Sequence, residues 1–169
     1  ERVLPGQAVA DLCCDHARLG AWLLAHERVP RVVAGDVNLA PLQSAAATLE
    51  ALGLANTGLA NTGRIELRQG SGFEVLSPGE VATAVLAGIG APLAERLVSE
   101  AAAAGRLAGL ARLVVQANHG FPKLGSLRAR LGALGLALVD ERVVRDQGRL
   151  YVILVAEPGQ PDACAAQVH

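Results

Sequence analysis

Cysteine, lysine and aromatic side chains are scarce in this chain, and methionine is missing altogether. Two cysteines are adjacent (Cys13, Cys14) and a third, Cys164, lies near the end, which makes no disulfide framework. Without a C-x-x-C pair they make no structural zinc site either. Aromatics are 2% of the residues, so the core must be Leu, Val, Ile and Ala, and a broad stacking platform for single-stranded RNA is excluded. Lys123 is the only lysine, and 15 basic against 16 acidic residues leave a formal charge of −1. A global basic footprint for nucleic acid is absent, and only a local patch can exist. No apolar run approaches the ~20 residues that a membrane span needs. Glu1 to Gly6 lacks the basic and apolar regions of a signal peptide. The expected setting is the reduced cytoplasm, with neither membrane nor metal as a partner. The chain does not open on Met, as expected of a trimmed protein or of a segment of a longer one.

What is present is globular. Hydrophobic residues make up 51% and charged ones 18% of 169 residues, enough for one domain with a real core. Short β-rich runs alternate with longer Ala/Leu-rich runs. Ala8–Cys14, Arg31–Asp36, Arg64–Arg68, Thr83–Ala87 and Arg112–Gln116 read as strands. Between them, Ala17–Glu27, a run from Pro41 to Gly53, Pro92–Ala104 and Pro122–Leu134 read as helices, with a short turn at Phe73–Leu76. The rhythm then breaks. Leu136–Val144 and Arg149–Ala156 are both strand-like, and the four residues between them are too few for a parallel crossover. That pair must be an antiparallel hairpin. The expected fold is therefore α/β: a doubly wound, mostly parallel, Rossmann-like sheet closed by a C-terminal β-hairpin, the layout of class I methyltransferases. Residues 1–157 are expected to form that domain and 158–169 a flexible tail. Leu-Ala-Asn-Thr-Gly occurs twice in succession, at 54–58 and 59–63. It reads as a duplication lengthening a surface loop, which costs little closure entropy.

In such a sheet, ligands bind beyond the C-terminal strand ends. The first strand end is Asp11-Leu12-Cys13-Cys14-Asp15-His16. It lacks the G-x-G-x-x-G that lets bare backbone approach a pyrophosphate, and its two acids suit a cationic ligand. Asp15 can equally be a helix N-cap, and the cysteines read as small buried thiols. Asp36 ends the second strand, followed by Val37, and its carboxylate can accept hydrogen bonds from both hydroxyls of a ribose. Gly70-Ser71-Gly72 follows the third strand and permits close backbone approach. Gly88 and Gly90 follow the fourth strand. Asn118, after the fifth, offers the donor and acceptor that match an adenine edge, or else is a left-handed turn residue. His26 and His119 read as structural or exposed.

These segments resemble the bacterial TrmK-like tRNA (adenine-N1)-methyltransferases. The resemblance rests on Val9-Ala10-Asp11-Leu12 through Asp15-His16-Ala17, on Ala34-Gly35-Asp36, and on Ala40-Pro41-Leu42-Gln43-Ser44-Ala45. It continues through Ala87-Gly88-Ile89-Gly90, Leu113-Val114-Val115-Gln116-Ala117-Asn118 and Tyr151-Val152-Ile153-Leu154, in the family's order. It implies S-adenosyl-L-methionine as cofactor, bound by Asp11, Cys13, Asp15, Asp36, Val37, Gly70, Ser71 and Gly88. It implies Asp15, His16 and Asn118 as the catalytic side, and tRNA as partner, with N1 of an adenine as the methylated atom. Arg18, Arg128 and Arg130 are candidate phosphate contacts. The family carries Gly where this chain has Cys13, usually Glu at Asp36, and a C-terminal coiled-coil extension of which residues 1–169 contain none. Two alternatives stand beside this expectation: a diverged module that binds the cofactor or its demethylated product without modifying RNA, and a small-molecule methyltransferase.

Overall fold

The computed structural model describes residues 2–52, 64–118 and 123–159. Gly53, the Leu-Ala-Asn-Thr-Gly repeat, His119 and residues 160–169, Cys164 included, lie outside these.

Five strands are parallel: β1 (Val9–Leu12), β2 (Val32–Asp36), β3 (Ile65–Gln69), β4 (Thr83–Ile89) and β5 (Arg112–Ala117). The hairpin β6 (Leu136–Asp146) and β7 (Arg149–Pro158) closes one edge antiparallel. The sheet order is β3-β2-β1-β4-β5-β7-β6. β1 and β2 are buried along their whole length, as strands covered on both faces must be.

Helices α1 (Arg18–Ala25) and α2 (Leu39–Ala51) cover one face. Ala21, Leu24, Leu42, Ala45 and Leu49 pack there against Val9, Val32, Ala34 and Ile65. Helices α3 (Ala91–Ala103) and α4 (Leu124–Ala133) cover the other. There Ala94, Leu97, Val98, Leu127 and Leu131 meet Ala10, Leu12, Leu86, Leu113 and Leu154. Alternate residues of one strand thus feed two cores, Val9 one and Ala10 the other. Gly20 lets α1 lie close to the sheet, because a Cβ there would come within 2.9 Å of Val32 Cγ1.

The expected order of elements matches the observed one, with small shifts at element ends. The hairpin is longer than the sequence suggests. Gln147 (φ 45°) and Gly148 (φ 77°) both take left-handed backbone, which suits a two-residue turn whose twist matches the strands. Pairing therefore runs out to Asp146–Arg149.

Candidate active site

Strand order reverses between β2-β1 and β4-β5, and the strand ends diverge there to leave a crevice. A hollow of about 360 Å³ opens at this point, within the ~300–1,000 Å³ usual for small-molecule sites. Two other hollows, one beside Val3 and Leu23 and one beside Phe73 and Arg106, hold only about 200 and 150 Å³.

One wall comes from the loop after β1. Cys13, Asp15 and Ala17 all adopt left-handed backbone, with φ of 58°, 50° and 50°. Such conformations cost a non-glycine residue about 1–2 kcal/mol each. The neighbouring strand holds them in place. Cys14 N–H donates to the Gly35 carbonyl at 3.0 Å, and Asp15 N–H donates to Asp36 Oδ2 at 3.0 Å. Cys13 is thereby set on the hollow's wall without closing it, and Cys14 is buried behind. Burial raises both thiols, Cys14 to about 12, so neither is a ready nucleophile.

Asp36 lines the hollow and is buried. Its Oδ1 accepts the N–H of Asn38 at 2.9 Å while Oδ2 holds Asp15. Two backbone donors fix the carboxylate, and each oxygen keeps a second lone pair for a ligand hydroxyl. Val37 and Ser71 also line the hollow, opposite Ile89 and Leu93. Gly70 stands just behind, its N–H donating to the Asp36 carbonyl at 3.0 Å. Ser71 is held by a reciprocal cap with Glu74. Arg68 anchors the same loop, donating to the Val75 carbonyl at 2.6 Å and to Glu80, whose carboxyl it holds down at about 2.

Asp11 is elsewhere. Strand alternation turns it toward α1, where its Oδ2 accepts the Gly20 N–H at 3.1 Å. Burial raises its carboxyl from 3.8 to about 7. It supports the start of α1 from beneath and does not line the hollow. Asp15 is not the helix N-cap either. Ala17 holds that position with no side-chain cap, and the Asp15 side chain points outward, 70% exposed, with Oδ1 3.6 Å from His16 Nε2.

Gly88 and Asn118 form a separate polar ledge at the ends of β4 and β5. Gly88 (φ 77°) sits at an irregularity between Ala87 and Ile89. Gln116 ties the ledge together: its Oε1 accepts the Gly88 N–H at 2.8 Å, and its Nε2 donates to Asn118 Oδ1 at 2.7 Å. Asn118 N–H donates to the Ile89 carbonyl at 2.8 Å, so the ledge adjoins the hollow's Ile89 wall. Asn118 is absent from the residues with positive φ, so it is not the left-handed turn residue considered above. His26 is exposed and stacks on Trp22, ring centroids 4.2 Å apart. Of the phosphate candidates, Arg128 pairs with Glu141 and Arg130 lies 3.9 Å from Glu95, while Arg18 is exposed.

Sequence reasoning missed Arg96 and Gln116. Arg96 lines the hollow from α3 with Leu93 and Leu97 and pairs with Glu100 at 2.8 Å. The i, i+3, i+4 spacing of these three was the available signal.

Residues 1–154 match the methyltransferase-domain family. The chain belongs to that family. Its relatives include the curated tRNA (adenine(22)-N(1))-methyltransferase of Bacillus subtilis (strain 168), 32% identical over 164 residues. That alignment covers 96% of this chain and 63% of the relative, so the methyltransferase domain described here spans under two thirds of that protein's length. Among solved structures, Sp1610 of Streptococcus pneumoniae in complex with S-adenosyl-L-methionine is 31% identical, with a TM-score of 0.83 over 97% of this chain and 72% of that one. The B. subtilis m1A22 tRNA methyltransferase TrmK is 28% identical, also with a TM-score of 0.83, over 100% and 72% of the two chains. The seven-stranded sheet with its antiparallel closing pair is the Rossmann-like methyltransferase fold. Among the described residues no helix is long and apolar enough to cross a membrane, and no group of three or more His, Cys, Asp or Glu is placed to hold a metal.

Proposed function

We propose that the chain is an S-adenosyl-L-methionine-dependent methyltransferase that modifies N1 of an adenine in tRNA. The observation that carries the reading is the hollow at the strand-order reversal, with a carboxylate fixed on its wall. Its chemistry fits the cofactor. Asp36 accepts from the ribose hydroxyls, Val37, Ile89, Leu93 and Leu97 enclose the purine, and Arg96 attracts the amino-acid carboxylate. Cys13 and the Asp15 loop bound the methionyl end, while Gly70 and Ser71 border the adenine. Asp11 contributes from beneath, through Gly20. When bound, the cofactor supplies a methyl group made electrophilic by a sulfonium sulfur.

Adenine N1 already carries an in-plane lone pair, so no strong base is needed. A C–N bond forms as the C–S bond breaks, the thioether leaves, and the ring becomes cationic or releases a proton from its amino group. The protein's task is alignment. Asn118, its oxygen held by Gln116, keeps its amide nitrogen free to donate to a ring nitrogen of the base other than N1, which leaves the N1 lone pair open to the methyl group. Gly88 lets that edge approach the hollow. Asp15, exposed beside His16, offers negative charge to the cationic ring. N1 is a pairing atom, so the target must be unpaired or flipped out.

On this reading residues 1–157 form the catalytic domain, 158–169 are a tail, and the work is done in the cytoplasm, where tRNA is found. Transfer of labelled methyl from S-adenosyl-L-methionine to tRNA, with wild type and Asn118→Ala, is the test. The reading predicts incorporation at adenine N1 that falls at least about 100-fold in the variant. Cofactor binding without incorporation would mark a binding module, and transfer to small acceptors alone a small-molecule enzyme.

A further inference from the structure

The last rung between β5 and β7 is Ala117–Val152. Beyond it β6 and β7 pair only with each other, through Val144–Tyr151, Arg145–Leu150 and Asp146–Arg149. Three further rungs at ~3.4 Å each make an overhang of about 10 Å. β7 is antiparallel to β5, so this arm projects past the C-terminal end of β5, the edge that carries Asn118.

The arm's composition is unlike that of the rest of the sheet. Arg145 and Arg149 are exposed on it beside Val144 and Leu150, which are 41% and 49% exposed, and Arg142 and Val143 (60%) are exposed at its root. Partners lying opposite each other share a face, which puts Arg142, Val144, Asp146, Arg149 and Tyr151 on one side and Val143, Arg145 and Leu150 on the other, so Asp146 stands opposite Arg149 and the arm carries two arginines against one acid. Arg142 lies 3.5 Å from Asp140. Arg145 and Arg149 join none of the ion pairs found among the described residues. In the body, Arg31, Arg68, Arg112 and Arg128 are paired with carboxylates, while the exposed Arg18, Arg28 and Arg64 also join no ion pair among the described residues, so what distinguishes Arg145 and Arg149 is their place beside the Asn118 ledge. A two-stranded ribbon has little stability of its own. Charge on an unpaired strand edge discourages aggregation, but that purpose does not account for apolar side chains left in water beside it.

We propose that this arm is an RNA-binding element that meets the phosphodiester backbone with its tip next to the flipped adenine, Arg145 reaching phosphate from one face of the ribbon and Arg149 from the other, while Tyr151 and the exposed aliphatic side chains rest on sugars and bases. The inference rests on the tRNA reading above and adds where RNA is held. It places positive charge where a near-neutral chain needs it, beside the ledge of Asn118 and Gln116.

The test compares wild type, Arg145→Glu/Arg149→Glu and Arg145→Lys/Arg149→Lys. Each is measured for tRNA binding over a salt series, for S-adenosyl-L-methionine binding by calorimetry, and for self-association by sedimentation. The proposal expects the Glu pair to weaken tRNA binding at least about 10-fold and to flatten the salt slope by about 1–2. The Lys pair should retain most affinity, and all three proteins should bind cofactor alike. If wild type binds tRNA and the Glu pair binds it equally, with the same salt slope, the arm is not the grip. The tRNA reading survives that result. If wild type binds no tRNA at all, both readings fall. Self-association lost in the Glu pair, with tRNA affinity unchanged, would assign the arm to a second copy and overturn the proposal.

Discussion

The backbone N–H of Asp15 donates to Oδ2 of Asp36 across 3.0 Å, a side-chain bond that joins the loop after β1 to the end of β2 beside the backbone bond from Cys14 to Gly35. It holds Asp15 at φ 50° and fixes the carboxylate that faces the hollow. On the proposed reading, the cofactor's ribose and the loop around its methionyl end therefore share the Asp36 carboxylate as an anchor.

Asp36→Asn should weaken cofactor binding about 10–100-fold, the loss expected when a charged acceptor of hydrogen bonds becomes an amide. The amide nitrogen must also face one of two backbone donors, Asp15 or Asn38. Calorimetric titration of S-adenosyl-L-methionine checks this, and affinity within twofold of wild type would contradict it.

Cys13→Gly should stabilise the fold and tighten cofactor binding together. The residue sits at φ 58°, where glycine avoids a side-chain penalty of about 1–2 kcal/mol, offset in part by about 0.5–1 kcal/mol of extra unfolded-state entropy. The thiol also occupies space on the wall of the hollow. Denaturant unfolding should show a gain of roughly 0.5–1 kcal/mol.

Asp11 makes stability depend on pH in an unusual direction for a carboxylate. Its folded value is raised to about 7 from 3.8, so between these values folding takes up a proton. Stability should fall as pH rises from about 4 to about 7 and then level off, by an amount on the order of a few kcal/mol. Asp11→Asn keeps an acceptor for the Gly20 N–H. The variant should be more stable than wild type at pH 8, and the gap should narrow toward pH 4. Thermal unfolding across that range is the measurement, and a gap that widens on acidification would count against the assignment.

Gln116→Ala should lower kcat for methyl transfer roughly 10-fold or more while leaving cofactor affinity near wild type. Gln116 does not line the hollow, yet it holds both the Gly88 N–H and Asn118 Oδ1, and misplacing a positioning group by about 1 Å can cost 100-fold. A change in cofactor affinity equal to the change in kcat would mean that it supports the hollow instead.

Much of the architecture could be read from residue order. The apolar runs marked the strands, and the short link after Val144 forced the hairpin. Asp36 was legible because it ends a run of buried residues where ligands gather. Asp11 was harder. In a strand buried on both faces, Val9-Ala10-Asp11-Leu12 carries no polar alternation, so nothing in the run tells which face an acid takes. The structure sends it to α1. Arg128 and Arg130 read as candidate phosphate contacts because the residues the structure places beside them, Glu141 and Glu95, lie on other elements. The reach of the hairpin arm depended on Gln147 adopting a left-handed conformation, which a side chain other than Gly or Asn rarely signals.

A crystal structure of the chain with S-adenosylhomocysteine bound tests the account most directly. It should show the adenosine in the hollow between Val37 and Leu93, both ribose hydroxyls about 3 Å or less from the Asp36 carboxylate, and the amino-acid end between Cys13 and Arg96. A nucleoside seated elsewhere, or one whose ribose makes no contact with Asp36, would contradict it.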